Sequence, residues 1–457
     1  MSETKKYIET YINTEILFNK YILAASLCEE NDTYCVYENG ESISIGIGSY
    51  VDIIITSTEI LIKSESAVET VHIHDFNTDV DRALKKIKIE GWRAYGFAYY
   101  GLSRYTYGFD MGKEKEELIR LFIPETEYRI LNNKIQIRTL HRQELEVLKR
   151  KLKYALCAKY EHQNVELLNQ EKILEYDGNY YKEIVANGVK EIKNNKYQKV
   201  ILSRKIPLQK RLDMKRTYIK GRELNSPARS YLCKIDGLEV AGFSPETVAE
   251  VAADGTVFTF PLAGTRALTS NPAENMRLKK ELLHDTKEIA EHAISVKLAE
   301  EELAQICEKA SVMVTEFMSV LERGTVQHLG SRLKGRLLEG KNPWHALSKL
   351  FPAVTASGIP KREAIEAIGR IEKDSRGLYS GSVLTYDSDG TLDAALVLRS
   401  IYQTLDETWV RVGAGIVDMS NPERELEETR EKVSSVAKQL VAEHIEEETG
   451  DIILFRI

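Results

Sequence analysis

Paired cysteine motifs are missing from this sequence of 457 residues. No two cysteines are spaced as C-x-x-C, and the five form an odd set: Cys28, Cys35, Cys157, Cys233 and Cys307. Disulfide scaffolds and zinc knuckles are built from such pairs, so this pattern argues against both classes. We expect reduced thiols in the core or on the surface.

Long apolar runs are also missing. Charged residues interrupt every candidate before it reaches the roughly 20 residues that a membrane span needs. Residues 1–26 are polar and amphipathic, without a basic region followed by an apolar core and a cleavage site. We therefore expect a cytoplasmic protein with no membrane segment.

Neither sign of charge dominates the composition. Lys and Arg total 63 against 70 Asp and Glu, which gives a net charge of -7. This balance argues against a broad electrostatic grip on nucleic acid or anionic lipid. A small anionic ligand needs only a local basic pocket.

The chain carries its chemical motifs in its second part. Residues 1–175 hold alternating segments such as SISIGIGSYVDIIIT, entered through the turn Glu38-Asn39-Gly40, and residues 141–172 have helical spacing. No Gly-rich linker follows, and there is no repeat or low-complexity segment. We predict one fold, with 1–175 as its strand-rich N-terminal portion and 176–457 as its catalytic portion.

Helices and strand pairs alternate in the catalytic portion. Residues 180–194 read as a helix and 199–208 as a β-branched strand. Asp-Gly turns at 254–255 and 389–390 separate further strands, a strong hairpin signal. Antiparallel sheet combined with long helices predicts an α+β fold.

Two of the predicted helices each offer a pair of glutamates. Glu288 and Glu291, in the segment HDTKEIAEH, are three residues apart on a helix that Asp285 caps. Glu425 and Glu428 repeat this spacing on the last helix, which begins at Asn421-Pro422. Helical zinc motifs need a His where this chain has Glu288, whereas an all-oxygen set is typical of magnesium sites. The alternatives are a capping-box role for Glu288 and a solvated acidic face for Glu425 and Glu428.

Other candidate residues lie at strand ends and in strands. Lys199 opens a buried strand and is either a base or an edge lysine, and Glu246 is either an acid or a turn residue. The segment Phe260–Arg266 is predicted to be a strand that leads into a glycine turn able to meet an anion. Arg399 and Lys432 add cations, with a sheet-surface arginine and a salt bridge to Glu428 as the alternatives.

These residues stand in motifs that resemble the chorismate-utilising enzymes, most closely the salicylate synthases of siderophore pathways. The resemblance covers about residues 180 to 440 and is carried by KVILSR, GFSPE, FPLAGTRA, DTKEIAEH, VQHLGS, VTASGIPK, GLYSG, LVLRSI, GAGIV and NPERELEETREK. It implies two packed, largely antiparallel β-sheets flanked by helices, with chorismate bound in the cleft between them.

The resemblance also implies a Mg²⁺ cofactor that holds the ring carboxylate of chorismate. Glu291 and Glu428 would be the direct ligands. Glu288 and Glu425 would hold coordinated water or complete the shell. His292 is expected to pack or cap rather than bind metal. Thr286, where many relatives have Pro, is expected to have little effect, since the cap residue remains.

Residue types at two positions separate the branches of this family. Ala263 stands where relatives that make aminodeoxychorismate carry a nucleophilic lysine. Lys199 stands where anthranilate synthases usually lack a lysine. The resemblance therefore implies water as the nucleophile, and no glutaminase subunit is expected.

The mechanism implied by the resemblance assigns the remaining residues. Lys199, as a neutral amine, deprotonates a water that attacks ring C2, while Glu246 protonates the departing C4 hydroxyl. Pyruvate then leaves in a concerted step beside His328. The implied substrate contacts are Gly264 and Thr265 near the reacting edge, Tyr379 and Arg399 at the enolpyruvyl carboxylate, backbone N–H groups of a glycine loop formed by Gly413, Ala414 and Gly415, and Lys432 at a carboxylate.

Four alternatives to a salicylate-forming enzyme stay open. An isochorismate synthase shares Lys199, Glu246 and the metal glutamates and stops one step earlier. An anthranilate synthase component I would need ammonia or a glutaminase. A non-catalytic chorismate binder and a zinc peptidase fit the residues less well. The FPLAGTRA and VTASGIPK segments favour salicylate.

Overall fold

The computed structural model describes residues 4–14, 18–65, 67–112, 116–158, 168, 170–324 and 326–443. The strands before residue 175 are β1 (Lys5–Lys6), β2 (Ile8–Asn13), β3 (Tyr34–Asn39), β4 (Ser42–Ile47), β5 (Val51–Ile55), β6 (Glu59–Ser64), β7 (Ala67–His72), β8 (Ile89–Glu90), β9 (Arg93–Ala98), β10 (Ile119–Ile123), β11 (Thr126–Leu131) and β12 (Lys134–Thr139). The later strands are β13 (Lys199–Pro207), β14 (Arg229–Ile235), β15 (Leu238–Ser244), β16 (Thr247–Val251), β17 (Thr256–Thr259), β18 (Leu262–Ala267), β19 (Met313–Arg323), β20 (Val326–Arg336), β21 (Gly358–Ile359), β22 (Ser382–Asp387), β23 (Leu392–Leu396), β24 (Ser400–Gln403) and β25 (Thr408–Ile416).

Helices connect and cover these strands. They are α1 (Lys20–Leu27), α2 (Phe76–Leu84), α3 (Gly101–Thr106), α4 (Leu145–Leu156), α5 (Gln170–Glu175), α6 (Gly178–Lys193), α7 (Met214–Leu224), α8 (Pro272–Leu282), α9 (Thr286–Leu303), α10 (Pro343–Leu350), α11 (Lys361–Ile371) and α12 (Pro422–Ala437). Within the described ranges, no helix combines the length and apolar character that crossing a membrane requires.

Two large antiparallel sheets organise the described part of the chain. The first sheet has the order β18-β20-β17-β16-β23-β22-β9-β10-β5-β6-β7, with β19 paired to β20. The second sheet has the order β2-β12-β11-β4-β3-β14-β15-β24-β25-β13-β21. The predicted α+β fold of two largely antiparallel sheets flanked by helices is therefore confirmed.

The sheets are held together by an aromatic layer. Tyr37 and Tyr231 of the second sheet pack in one buried cluster with Tyr95 and Phe97 of the first. Each sheet also has a buried cluster on its other face, where α2, α9 and α10 cover the first sheet and α1, α4, α7 and α12 cover the second. The result is four layers, because each sheet has two apolar faces to bury.

Each sheet contains strands from both parts of the chain, and in each sheet the earlier strands form one side and the later strands the other. In the second sheet β3 pairs with β14, and in the first sheet β9 pairs with β22. Both pairings join strands that lie on either side of residue 175. The division into portions 1–175 and 176–457 stays a prediction.

Local signals in the sequence located several elements. The helix predicted over 180–194 is α6, the strand over 199–208 is β13, and hairpins form at the predicted turns at 39–40, 254–255 and 389–390. The helix predicted over 141–172 is wrong as a continuous element, because α4 ends at Leu156 and α5 begins at Gln170. Residues 159–167 and 169 of that prediction lie outside the described residues.

Candidate active site

The predicted site residues come from both sheets and from two helices. Lys199 begins β13 of the second sheet, and His328 lies on β20 of the first. Glu246 lies in the short connection by which the chain passes from β15 of the second sheet to β16 of the first. Of the two helices, α9 packs on β18 and β20 of the first sheet and α12 packs on β25 of the second.

Lys199 is buried and ion-paired. Its side chain is 7% exposed, and Nζ lies 2.5 Å from Oε1 of Glu291. A β-carbon at residue 415 would lie 3.1 Å from Cε of Lys199, so the glycine there leaves space for the lysine. The predicted solvent-edge alternative for Lys199 does not fit this burial.

Glu246 is a buried carboxyl group with neutral hydrogen-bond donors. The residue is 2% exposed, its Oε2 accepts the Leu262 N–H at 2.8 Å, and its Oε1 accepts the hydroxyl of Thr355. Burial raises the pKa of Glu246 to about 7, against the opposing effects of these donors and of Arg399 and Lys199. A carboxyl group of this kind can hold and release a proton near neutral pH.

On α9, the first two turns present two glutamates. Asp285 caps the helix by accepting the Lys287 and Glu288 N–H groups at 2.9 and 3.2 Å, as predicted. The predicted capping-box contact from Glu288 is not what its carboxylate makes: Oε1 instead accepts from Arg266 of β18 at 3.2 Å. Burial and the neighbouring Glu291 raise the pKa of Glu288.

The last helix, α12, carries the other two glutamates, Glu425 and Glu428. Asn421 caps it, and the carboxylate of Glu428 lies 2.8 Å from Nζ of Lys432, so the predicted i,i+4 salt bridge is present. Burial would raise the pKa of Glu428, but Lys432, Arg424 and Lys287 together lower it below the ordinary value. Burial raises the pKa of Glu425, whose side chain is almost fully enclosed.

The two helices bring their glutamates close enough to interact. Glu428 acts on the ionisation of Glu291, and Lys287 acts on both. Among the residues that the structure describes, no group of three His, Cys, Asp or Glu side chains is arranged so that it could hold a metal ion. The donors nevertheless fit Mg²⁺, because they are carboxylate oxygens and Oε2 of Glu425 is buried without a hydrogen-bond partner in the described structure.

His328 joins β18 to Arg399. Its Nδ1 lies 3.0 Å from the Thr265 hydroxyl, and its Nε2 lies 2.8 Å from a guanidinium nitrogen of Arg399. Arginine is only a donor, so Nε2 accepts and the neutral ring carries its proton on Nδ1. Burial and the positive charges of Arg399 and Lys432 hold the pKa of His328 well below its usual range. His328 is therefore neutral at physiological pH.

Arg399 has an unusual backbone conformation and a lowered pKa. It lies between β23 and β24 with φ of 51°, so Arg399 is outside the strands and does not fit the sheet-surface alternative. Burial lowers the pKa of Arg399 to about 10, with a further contribution from Arg323. A left-handed conformation is costly for arginine, and it turns this side chain toward His328.

The segment Phe260–Arg266 does not end in the predicted glycine turn. Gly264 lies inside β18, where the pairing with β20 shifts between Ala263 and Thr265 and φ of Gly264 is +81°. A β-carbon there would lie 3.2 Å from Oε2 of Glu288. Gly264 thus forms a bulge that lets β18 approach α9, the helix that carries Glu288.

Gly413, Ala414 and Gly415 are not in the predicted loop. They lie in β25, paired with β13. The N–H of Ala414 donates to the hydroxyl of Tyr181, which in turn donates to the carbonyl of Leu202, so Ala414 is engaged within the protein. The carbonyl of Gly413 accepts from Lys432 at 3.1 Å.

Tyr379 sits over a cationic layer. The residue is buried, and the guanidinium groups of Arg376 and Arg411 lie 5.6 and 5.8 Å from its ring centre. Burial raises the pKa of Tyr379, against the opposing effect of Arg376 and Lys432. Both guanidinium groups also pair with the buried carboxylate of Glu372, so the layer beneath the ring carries one net positive charge.

The two histidines of HDTKEIAEH make their hydrogen-bond contacts with groups other than the four glutamates. His292 is fully buried with Nε2 2.7 Å from the Ser331 hydroxyl, and burial lowers its pKa to about 4. Nδ1 of His284 lies 2.6 Å from the carbonyl of Lys280. The contact of His292 matches the expectation that it packs or caps.

Sequence reasoning missed three side chains at the site. Thr355 donates to Glu246, Arg266 pairs with Glu288, and Lys287 acts on the glutamates of both helices. Thr355 and Arg266 lie in the quoted segments VTASGIPK and FPLAGTRA, so their position was visible. Their partners were not, because both contacts cross between distant elements.

Comparisons with known proteins agree with this architecture. A family model described as chorismate binding enzyme matches residues 30–438. The salicylate synthase of Mycolicibacterium paratuberculosis is 48% identical over 266 residues, which cover 58% of this chain and 59% of that protein. Anthranilate synthase component 1 2 of Haloarcula marismortui is 38% identical over 276 residues, covering 60% and 51%. The matches thus span only between half and three fifths of these relatives' length.

A solved structure extends the comparison of the fold over most of the chain. Anthranilate synthase component I from Streptococcus pneumoniae superposes with a TM-score of 0.70 at 24% identity, covering 87% of this chain and 92% of that one. At this identity the likeness concerns the fold. With the family model matching most of its length, the chain belongs to the chorismate binding enzyme family.

Proposed function

We propose that the protein converts chorismate, through isochorismate, to salicylate and pyruvate. Glu246 carries this proposal: it is a buried acid with a pKa of about 7, and Lys199 is near enough to act on its ionisation. The 48% identity to a salicylate synthase supports the same reaction over the matching 266 residues.

In the first step, Lys199 takes a proton from water and Glu246 gives one to the leaving group. Water attacks ring C2, and the C4 hydroxyl departs as water after protonation by Glu246. The structure supports these roles, because Lys199 and Glu246 are 5% and 2% exposed and so exclude bulk water from the reacting atoms. To act as a base, Lys199 must give up the proton it shares with Glu291.

Positive groups fix the substrate. Arg399, beside His328, and Lys432, beside the carbonyl of Gly413, offer charge to the carboxylates of chorismate. Tyr379 adds a ring above Arg376 and Arg411. The backbone N–H groups of Gly413 and Gly415 are proposed to assist, whereas that of Ala414 is engaged by Tyr181.

Four glutamates would hold Mg²⁺ beside this pocket: Glu288, Glu291, Glu425 and Glu428. When bound, the ion supplies positive charge to the ring carboxylate. The unpartnered Oε2 of Glu425 supports this role. Lys199 and Lys432 compensate the charges of Glu291 and Glu428 in the present structure.

In the second step, isochorismate loses pyruvate by transfer of its C2 hydrogen to the enolpyruvyl group. This concerted step needs a fixed conformation more than an acid or base. Thr265 and His328 suit that task, because the neutral imidazole is held between the threonine hydroxyl and Arg399. Gly264 brings the strand that carries Thr265 close to Glu288.

The same proposal includes a cytoplasmic enzyme that serves siderophore biosynthesis without a glutaminase subunit. Lys199 and Glu246 alone would suffice for isochorismate formation. An enzyme that stops at isochorismate is therefore the alternative that the test must separate.

Incubation of the purified protein with chorismate and Mg²⁺, without ammonia, tests the proposal. We expect equal amounts of salicylate, identified by mass and fluorescence, and of pyruvate. Loss of chorismate without pyruvate would establish isochorismate as the product. A need for ammonia and the appearance of anthranilate would contradict the proposal.

A further inference from the structure

Glu246 also lines a cavity that the proposed chemistry does not use. Its polar lining includes Glu246, Thr355, Glu302 and Lys361, while Lys199, His328 and Arg399 do not line it. It is large enough for a water molecule and offers that molecule several polar partners. The cavity thus connects the proposed acid to a second pair of charged groups.

That second pair is a buried salt bridge. Nζ of Lys361, on α11, lies 2.6 Å from Oε1 of Glu302, on α9, and also donates to the carbonyl of Leu350 at 3.0 Å. The two side chains are 6% and 14% exposed. Removing two such charges from water is expensive and contributes little to stability, so the pair invites a functional explanation.

The proposed reaction requires Glu246 to regain a proton after each turnover. Each isochorismate formed leaves Glu246 as a carboxylate, and the next turnover requires its acid form. Glu246 is 2% exposed, so bulk water does not reach it freely. A proton must therefore arrive through neighbouring groups.

We propose, on the basis of the proposed function, that Glu302 and Lys361 return a proton to Glu246 through water in this cavity. The pair releases one proton to a cavity water, and that water gives one proton to the Glu246 carboxylate. The pair then regains a proton from solvent at Glu302, the more exposed partner. Lys199, which took a proton from the attacking water in the same turnover, releases that proton to solvent, so one proton enters at Glu302 and one leaves from Lys199. Only O–H and N–H bonds form and break, and the carboxyl and amino groups return to their starting state.

The surroundings of the pair favour proton exchange. Burial raises the pKa of Glu302 and lowers that of Lys361, which brings the two groups closer in proton affinity. Lys349 of α10, Glu301 of α9 and Tyr107 after α3 also face Glu302. At the other end, Arg399 and Lys199 face Glu246.

Glu302→Gln tests the relay, with Glu300→Gln as its matched control. Both changes remove one carboxylate from the same helix, but Glu300 is exposed to solvent. We expect Glu302→Gln to lower kcat for chorismate consumption roughly tenfold at unchanged KM, with a larger loss as pH rises. Glu300→Gln should match the wild type.

Supplied isochorismate separates a relay from a structural role. Its conversion to salicylate needs no proton from Glu246, so Glu302→Gln should convert it at the wild-type rate. Lys361→Arg is a second variant that keeps the charge but cannot release a proton, and it should show the same selective loss. Equal slowing of both reactions, or an unchanged rate with chorismate, would overturn the relay.

The outcome for the wild type keeps the two proposals apart. A wild-type protein that forms isochorismate or salicylate while Glu302→Gln behaves identically would overturn the relay alone. A wild type that leaves chorismate unchanged would overturn the proposed function, and the relay with it.

Discussion

Two buried glutamates in different regions of the molecule have pKa values that are shifted in opposite directions. Glu127, between the sheets, is 1% exposed and accepts from Tyr95 at 2.6 Å, from Arg129 at 2.9 Å and from Arg138. Burial would raise its pKa, but the arginines lower it below the ordinary value. Glu246 is equally buried, but its direct donors are a backbone N–H and a hydroxyl, and its pKa is about 7.

The comparison shows that the partners of a buried carboxyl group, more than its burial, decide what it can do. Cationic donors fix Glu127 as a charged structural link. Neutral donors leave Glu246 able to carry a proton. The glutamates of α9 and α12 are intermediate, since Glu291 and Glu428 are paired with lysines that also line the site.

Loss of the proposed acid or base should have the largest effect on activity. We expect Glu246→Gln and Lys199→Gln each to slow chorismate consumption by roughly 10²- to 10⁴-fold. The melting temperature of Glu246→Gln should not fall, because a neutral amide replaces a carboxyl group that is already costly to charge. Product formation and thermal unfolding of the same preparations measure both. Retained turnover in Glu246→Gln would contradict the claim that Glu246, unlike Glu127, takes part in the reaction.

Glu127→Gln should show the reverse behaviour. Removing this charge leaves Arg129 and Arg138 without their buried partner, at a cost of about 3–5 kcal/mol in the free energy of unfolding. The fraction that stays folded should keep the wild-type kcat, since Glu127 is distant in the fold from β13 and β20. Denaturant unfolding and activity per folded molecule test this. A selective loss of kcat with unchanged stability would contradict it.

Metal removal tests the proposed role of the glutamates of α9 and α12. We expect a chelator to lower activity roughly a hundredfold and Mg²⁺, but not Zn²⁺, to restore it. Glu291→Gln and Glu428→Gln should lose this response. Glu427→Gln is the matched control, because Glu427 lies on the same helix and pairs with Arg430 at the surface. Full activity in the presence of chelator would contradict the magnesium proposal.

The smallest effect should come from one neutral donor. Glu246 must be protonated to act, so the rate of chorismate consumption should fall as pH rises through about 7. The Thr355 hydroxyl stabilises the carboxylate form, so Thr355→Val should raise the pKa and move this decline upward by roughly one pH unit. Thr355→Ser keeps the hydroxyl and should behave as the wild type. Rate–pH profiles of the three proteins decide the matter, and coincident profiles would contradict the assignment.

Stability should follow the same ionisation. The folded state binds the Glu246 proton up to pH about 7, whereas an unfolded glutamate releases it near its ordinary value of 4.5. The free energy of unfolding therefore falls as pH rises between these values, and Glu246→Gln should remove that part of the dependence. Glu127 has a lowered pKa and contributes stability that is lost as pH falls.

Local signals explain what the sequence could predict. Asp285 and Asn421 cap their helices with contacts two and three residues away, so their position along the chain was enough. Asp-Gly turns located hairpins for the same reason. The α+β class followed from these elements, and the two-sheet arrangement followed from the family resemblance.

Contacts between distant elements explain the errors. Gly264 was assigned to a turn because its bulge exists only in the register with β20. Gly413 to Gly415 were assigned to a loop, but pairing with β13 holds them in a strand. Glu288 was weighed as a capping partner, whereas Arg266 of β18 takes its carboxylate. Spacing along one segment carries no information on such partners.

Isotope labelling with ¹⁸O-water tests most directly the claim that this site adds water to chorismate and then releases pyruvate. Purified protein, chorismate and Mg²⁺ would react in labelled water, followed by mass analysis of the aromatic product. The account predicts one ¹⁸O atom in the hydroxyl group of salicylate, because the attacking water becomes the C2 hydroxyl. Unlabelled salicylate, or an aromatic product that has gained nitrogen instead, would contradict it.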